Sequence, residues 1–167
     1  MNTSNIVLIG MPGAGKSTIG VLLAKSLKKP FIDTDLLIQQ QEDRFLQEII
    51  NKEGIDKFLS IEKKVILTLN AQNCVIATGG SAIYSNSSIN HLKANGVLVY
   101  LKLPYKEIEE RIKDIKSRGI AMGQHQNLFD LFTERVHLYE KYADITVDCS
   151  GICLEDTVVK IKDIIEA

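Results

Sequence analysis

Residues 9–18 read IGMPGAGKST, with three glycines and a proline set between an apolar run and a helix-like pattern. Glycine costs about 1 kcal/mol and proline about 3 kcal/mol in a helix interior. The segment is therefore a loop, and its flanks restrict the fold. Before it, NIVLIG at 5–10 is a continuous apolar run, as in a strand covered on both faces. After it, KSTIGVLLAKSLKK at 16–29 places Ile19, Leu22, Leu23 and Leu27 on one stripe, as in an amphipathic helix. Strand, glycine loop and helix make the first half of a βαβ unit.

The same alternation continues along the chain. Apolar runs at 30–34, 74–78, 96–101 and 144–149 predict further strands. Helical periodicity recurs at 54–71, where Phe58, Ile61, Val65 and Leu69 share a stripe, and at 104–115, 126–142 and 154–167. This order predicts an α/β fold built on a parallel sheet with right-handed crossovers. Ligands on such sheets bind beyond the carboxyl ends of the strands. No repeat or linker divides the chain, so residues 1–167 are expected to form one domain. Segment 114–126, DIKSRGIAMGQHQ, is polar, carries two glycines and lies between two predicted helices, so it is expected to be a mobile flap.

Composition excludes several function classes. The formal net charge is −1, and the basic residues form no stripe that would track nucleic acid. There is no apolar run of about 18 residues, so no membrane span is expected. The N-terminus lacks the basic start and cleavage site of a signal peptide. A cytoplasmic location is the expectation, with Cys74, Cys149 and Cys153 as reduced thiols. His91, His125 and His137 show no metal-ligand spacing.

Gly10 through Ser17 match G-x-x-x-x-G-K-[ST] between the right flanking elements. Backbone N–H groups must converge on a polyphosphate, so side chains must be absent at Gly13 and Gly15. Ala14 and Thr18 complete the wrap around it. The helix starting near Lys16 offers free N–H donors and its positive end. Lys16 supplies a point charge to the β- and γ-phosphates, and Ser17 a hydroxyl for Mg²⁺. The loop is expected to hold a nucleotide's phosphates.

FIDTD, at 31–35, ends the second predicted strand with two carboxylates. Alternation along an extended chain would point Asp33 and Asp35 the same way. One would help hold Mg²⁺, and the other would orient or deprotonate an attacking hydroxyl. The plainer reading is that Asp35 caps a helix beginning at LLIQQ.

These pieces, with ATGG at 77–80, the arginine of SRG and ERVHLYEKYAD at 134–144, resemble the shikimate kinase family over essentially the whole chain. The resemblance implies a three-layer α/β/α P-loop NTPase fold. Its five-stranded parallel sheet is ordered 2-3-1-4-5, with a helical substrate-binding region near 34–60 and a lid near 114–126. It implies an ATP-dependent phosphotransferase using Mg²⁺ and a small hydroxylated acceptor, the 3-hydroxyl of shikimate. It places Asp33 with the metal and Asp35 on the acceptor hydroxyl. Gly79 and Gly80 become the turn meeting the acceptor, and Arg111 the arginine beside adenine. Arg118 becomes the lid arginine on the transferring phosphate, and Arg135 the partner of the acceptor's carboxylate. A monomer is favoured.

The acceptor side departs from the family pattern. F-R-x-x-E reads Phe58-Leu59-Ser60-Ile61-Glu62, so the second carboxylate-binding arginine is Leu59. The glycine triplet ends in Ser81, R-P-L-L reads Arg118-Gly119-Ile120-Ala121, and Gly-Glu reads Gly54-Ile55. Lys63, one turn beyond Leu59, is the nearby substitute cation. Three readings follow: a shikimate kinase with a rebuilt carboxylate site, a kinase of another small hydroxy acid or polyol, or a nucleotide-binding module without an acceptor. Asp35, Arg118 and Arg135 argue against the last.

Overall fold

The computed structural model describes residues 5–112 and 119–167. Five strands, β1 (Asn5–Ile9), β2 (Phe31–Asp33), β3 (Val75–Ala77), β4 (Gly96–Lys102) and β5 (Ile145–Asp148), form one sheet. Every neighbouring pair is parallel and the order is β2-β3-β1-β4-β5. The central strand is buried along its whole length, which is why its sequence does not alternate. Its one polar residue, Asn5, is satisfied in place. Its Nδ2 donates to the Ala71 carbonyl at 2.8 Å, and its Oδ1 accepts from the Cys74 N–H at 2.9 Å.

Helix α1 (Lys16–Leu27) leaves the glycine loop and packs on α8 (Leu154–Glu166). Ile19 and Leu23 of its predicted stripe are fully buried. Helices α2 (Thr34–Glu42) and α3 (Leu46–Glu53) follow β2, and α4 (Ile55–Thr68) leads back to β3. Phe58, Ile61 and Val65 of α4 do not join the main core. With Ile38 and Ile49 they form a second apolar cluster, which gives the helices between β2 and β3 a core of their own.

A 3₁₀ turn (Ala82–Tyr84) and α5 (Asn86–Ala94) precede β4. The periodicity does not announce α5, whose sequence NSSINHLKA is largely polar. Ser85 caps it, its Oγ accepting from the Ser88 N–H at 3.2 Å. Beyond β4 come α6 (Tyr105–Arg111) and α7 (Leu128–Tyr142).

Two expectations need correction. Asp35 lies in the first turn of α2, so strand alternation does not align it with Asp33. The cap is Asp33, whose Oδ1 accepts from the N–H groups of Asp35 and Leu36 at 3.0 and 3.4 Å. In the predicted flap, residues 113–118 lie outside the described residues, but Ile120 and Ala121 are buried. Gly119 sits on α3 with its N–H on Gln47 Oε1 at 3.1 Å. Ala121 joins the second cluster and Ile120 the main core, because both are apolar, while residues 123–125 stay exposed. Among the described residues, no helix is long and apolar enough to cross a membrane, and the three cysteines are free thiols.

Candidate active site

At the carboxyl ends of β1 and β3 lies a cleft of about 460 Å³. One wall is the glycine loop. Gly15 holds φ +91°, in the left-handed region, which an L side chain rarely adopts. Lys16 is buried, and its Nζ donates to the carbonyls of Gly10 at 2.7 Å and Met11 at 2.9 Å. Burial pulls its pKa down to about 8, against the opposing pull of Asp35. Gly13, Ser17 and Thr18 line the cleft, while Ala14 is packed behind the loop.

Ser17 Oγ donates to Asp33 Oδ2 at 2.6 Å. A hydroxyl and a carboxylate are thus already together at the phosphate end. They are hard oxygen donors, and too few to cage a cation alone. That suits Mg²⁺, which keeps waters and takes further oxygens from a phosphate.

Deeper in, Asp35 Oδ1 is sealed from solvent and has no hydrogen-bond partner among the described residues. Burial raises the Asp35 pKa to about 6, helped by Asp33 and opposed by Lys16. Glu62 of α4 presents a second such oxygen, Oε2. Both meet at Gly79, where a Cβ would stand 2.5 Å from Glu62 Oε2 and 2.7 Å from Asp35 Oδ1. Only glycine fits there. Glu62 Oε1 accepts from Ser81 Oγ at 2.8 Å, and burial raises the Glu62 pKa to about 7.

On the other side of the same turn stands Arg135, 1% exposed. A Cβ on Gly80 would lie 2.8 Å from one of its terminal nitrogens. Its Nε donates to the Tyr84 hydroxyl at 3.1 Å, and its other terminal nitrogen to the Ala121 carbonyl at 2.7 Å. Among the described residues, no carboxylate lies within ion-pair distance of it. Arg111 borders the phosphate end, reaching the Gly13 carbonyl at 3.5 Å and its helix neighbour Glu107 at 3.5 Å.

Lys16, Ser17, Asp35, Gly79, Gly80, Ser81, Arg111 and Arg135 therefore border one space. Leu59 does not. It lines a second cavity of about 610 Å³ together with Lys63. With Phe58 turned into the apolar cluster, the next residue of α4 points about 100° away. Lys63 is accordingly not a substitute cation in the first cleft. Arg118 lies outside the described residues.

Sequence reasoning missed several residues of the site. Glu62 carried a usable signal, a carboxylate on the buried stripe of Phe58, Ile61 and Val65. Tyr139, whose hydroxyl donates to the Gly80 carbonyl at 2.6 Å, and Thr34, whose Oγ1 accepts from the Gly79 N–H at 3.2 Å, hold the turn in place. Neither stands out in the sequence.

Comparison with known proteins agrees with this geometry. Residues 12–166 match the family described as shikimate kinase. A shikimate kinase of Clostridium botulinum (strain Loch Maree) is 41% identical over 162 residues, covering 95% of this chain and 94% of the relative. The solved structure of shikimate kinase from Acinetobacter baumannii in complex with shikimate superposes with a TM-score of 0.90 at 33% identity. It covers 98% of this chain and 93% of that one. Thymidylate kinase from Candida albicans, at 15% identity and TM-score 0.64, shares the fold alone. The glycine loop, the buried acid and the unpaired buried arginine thus stand in a chain that belongs to the shikimate kinase family.

Proposed function

We propose that the protein transfers the γ-phosphate of ATP to the 3-hydroxyl of shikimate. The observation that carries this reading is the pairing of opposites in one cleft. Among the described residues Asp35 Oδ1 lacks a donor and Arg135 lacks an anion, on the two sides of Gly79–Gly80. A hydroxylated carboxylic acid supplies both. Its carboxylate meets the guanidinium, and its hydroxyl donates to Asp35, within reach of the phosphate loop.

Phosphoryl transfer asks the protein chiefly for positioning and charge neutralisation. The N–H groups of the loop and the start of α1 hold the phosphates, and Lys16 moves from the loop carbonyls onto them. Asp35 orients the acceptor hydroxyl and accepts its proton as the new O–P bond forms and the bond from the γ-phosphorus to the β–γ bridging oxygen breaks, with ADP as the leaving group. Ser17 and Asp33 would hold Mg²⁺, which neutralises phosphate charge when bound. Arg111, beside Gly13 of the loop, is assigned to the adenine and Arg118 to the transferring phosphate. Ile120 and Ala121 close the cleft over the acceptor, excluding water that would otherwise hydrolyse ATP.

A second reading has one specific observation behind it. Leu59 adds no cation, so a single arginine faces the acceptor anion, and a different small hydroxy acid would meet the same groups. A coupled ADP-release assay with Mg-ATP decides between them. Shikimate is expected to give the highest kcat/KM in a panel of small hydroxy acids and polyols. Turnover with another acid and none with shikimate would overturn the first reading.

A further inference from the structure

Glu62 raises a question that the reaction alone does not answer. A buried carboxyl with no cation within ion-pair distance among the described residues is costly unless something holds it. Here one neutral hydroxyl does so, that of Ser81. Leu59 and Glu62 are three residues apart on α4 and line the same second cavity, as does Ser81. Side chains at that spacing are neighbours on a helix. An arginine at position 59 would therefore reach Glu62.

We infer that Ser81 is a positioning residue for Glu62, holding Oε2 of that carboxyl beside Gly79 and Asp35 at the edge of the proposed acceptor cleft. The inference rests on the proposed reaction for its kinetic consequence only. Ser81 sits between the two cavities and lines both. Glu62 lines the second cavity, and Ser81, by fixing Oε1, leaves Oε2 turned toward Gly79 at the wall between the two cavities. The charged and titratable groups around Glu62 are Asp35 of α2, Arg135 of α7 and Lys16 of α1. Tyr84 of the 3₁₀ turn, and Asp56 and Lys63 of α4, border the cavity beside it. Asp35 disfavours the ionised form of Glu62, and Arg135 and Lys16 favour it. Ser81 donates directly and favours it too.

A double-mutant cycle over Ser81→Gly and Leu59→Arg tests this. The double variant exchanges the hydroxyl partner of Glu62 for a cation. Ser81→Gly is expected to raise the KM for shikimate about 10- to 100-fold, the loss of a hydrogen bond to a charged group, and to leave the KM for ATP unchanged. Leu59→Arg should recover most of that loss in the Ser81→Gly background and give a smaller gain in the parent. In parallel, ¹³C NMR of glutamate-labelled protein follows the titration of Glu62 without any acceptor. Its midpoint should rise in Ser81→Gly and fall again in the double variant.

Additive effects of the two substitutions, or an unchanged KM and midpoint in Ser81→Gly, would overturn the inference. If Ser81→Gly alone does not fold, Leu59→Arg is compared with the double variant. Only a small rise in KM is expected in the double variant, and a tenfold rise would refute the inference. Should the parent give no shikimate-dependent ADP while the midpoints move as described, the proposed reaction falls and the Ser81–Glu62 pairing stands.

Discussion

Replacing Arg135 with methionine separates recognition from stability. The guanidinium is 1% exposed and has no anionic partner among the described residues. In the protein without acceptor it makes two hydrogen bonds, to the Tyr84 hydroxyl and the Ala121 carbonyl. Losing them costs about 1.5–3 kcal/mol each, since the donor is charged, and more if the Ala121 carbonyl finds no new donor. Against this, the buried unpaired cation carries a desolvation penalty of several kcal/mol, and Lys16 adds repulsion. The two contributions oppose and are similar in size, so chemical denaturation of Arg135→Met should give a stability within about 1–2 kcal/mol of the parent. Acceptor binding has no such offset. Truncating one partner of a buried charged pair costs about 2–5 kcal/mol, or roughly 30- to 4,000-fold in affinity. Steady-state kinetics at saturating ATP should show that loss in the KM for the acceptor. ATP affinity, measured without acceptor, should hold. A variant that unfolds easily while its surviving fraction keeps the parental KM would refute the reasoning, because Arg135 would then be a structural residue.

Lys16→Ala should lower turnover by at least about 10²-fold, the cost of removing one preorganised charge stabiliser, and full turnover would discard the mechanism. Asp35→Asn should leave nucleotide binding by calorimetry intact and lower kcat by about 10²–10⁴-fold; loss of ATP binding would point to a metal role. The Asp35 pKa is raised to about 6, so kcat/KM for the acceptor should rise with pH through that region, and in Asp35→Asn the rise should vanish. Stability should run the opposite way: Asp35 and Glu62 hold protons more tightly folded than unfolded, so their contribution is present below pH about 4. It is lost as pH climbs through about 6 and about 7, a fall in melting temperature that Glu62→Gln should make shallower.

The phosphate end of the site was legible in the sequence because its parts are contiguous. Gly10 to Ser17 form one loop, and the elements on both sides have strong periodicity. The strand order agrees with the resemblance, and the β1 and β3 runs are buried on both faces as their lack of alternation implies. The acceptor end was only partly legible, because its residues come from α2, α4, the glycine turn and α7. Arg135 was named for its charge alone, and nothing in that reading required the enclosure it has. Leu59 was expected in the acceptor site because a family motif names its position, and the rotation of α4 puts it in the next cavity. Asp33 and Asp35 were assigned one backbone state and have two, since Thr34 already begins the helix.

The arrangement around Gly79 and Gly80 explains why so many charges remain unmatched in a folded protein. Two acids lie on one side of the turn and one base on the other. Side chains left to relax would pair across that gap and neutralise the site. The turn prevents this by occupying the gap with backbone. Its N–H is held by Thr34 and its carbonyl by Tyr139, and Tyr139 is itself fixed by stacking on Tyr100 at 5.1 Å. A methyl group at Gly79 would press on both carboxylates, and one at Gly80 on Arg135 and Pro12. Glycine is thus required less for flexibility than for thinness. Acid and base come close enough to act on one small molecule, and they stay separated until that molecule supplies the missing donor and the missing anion.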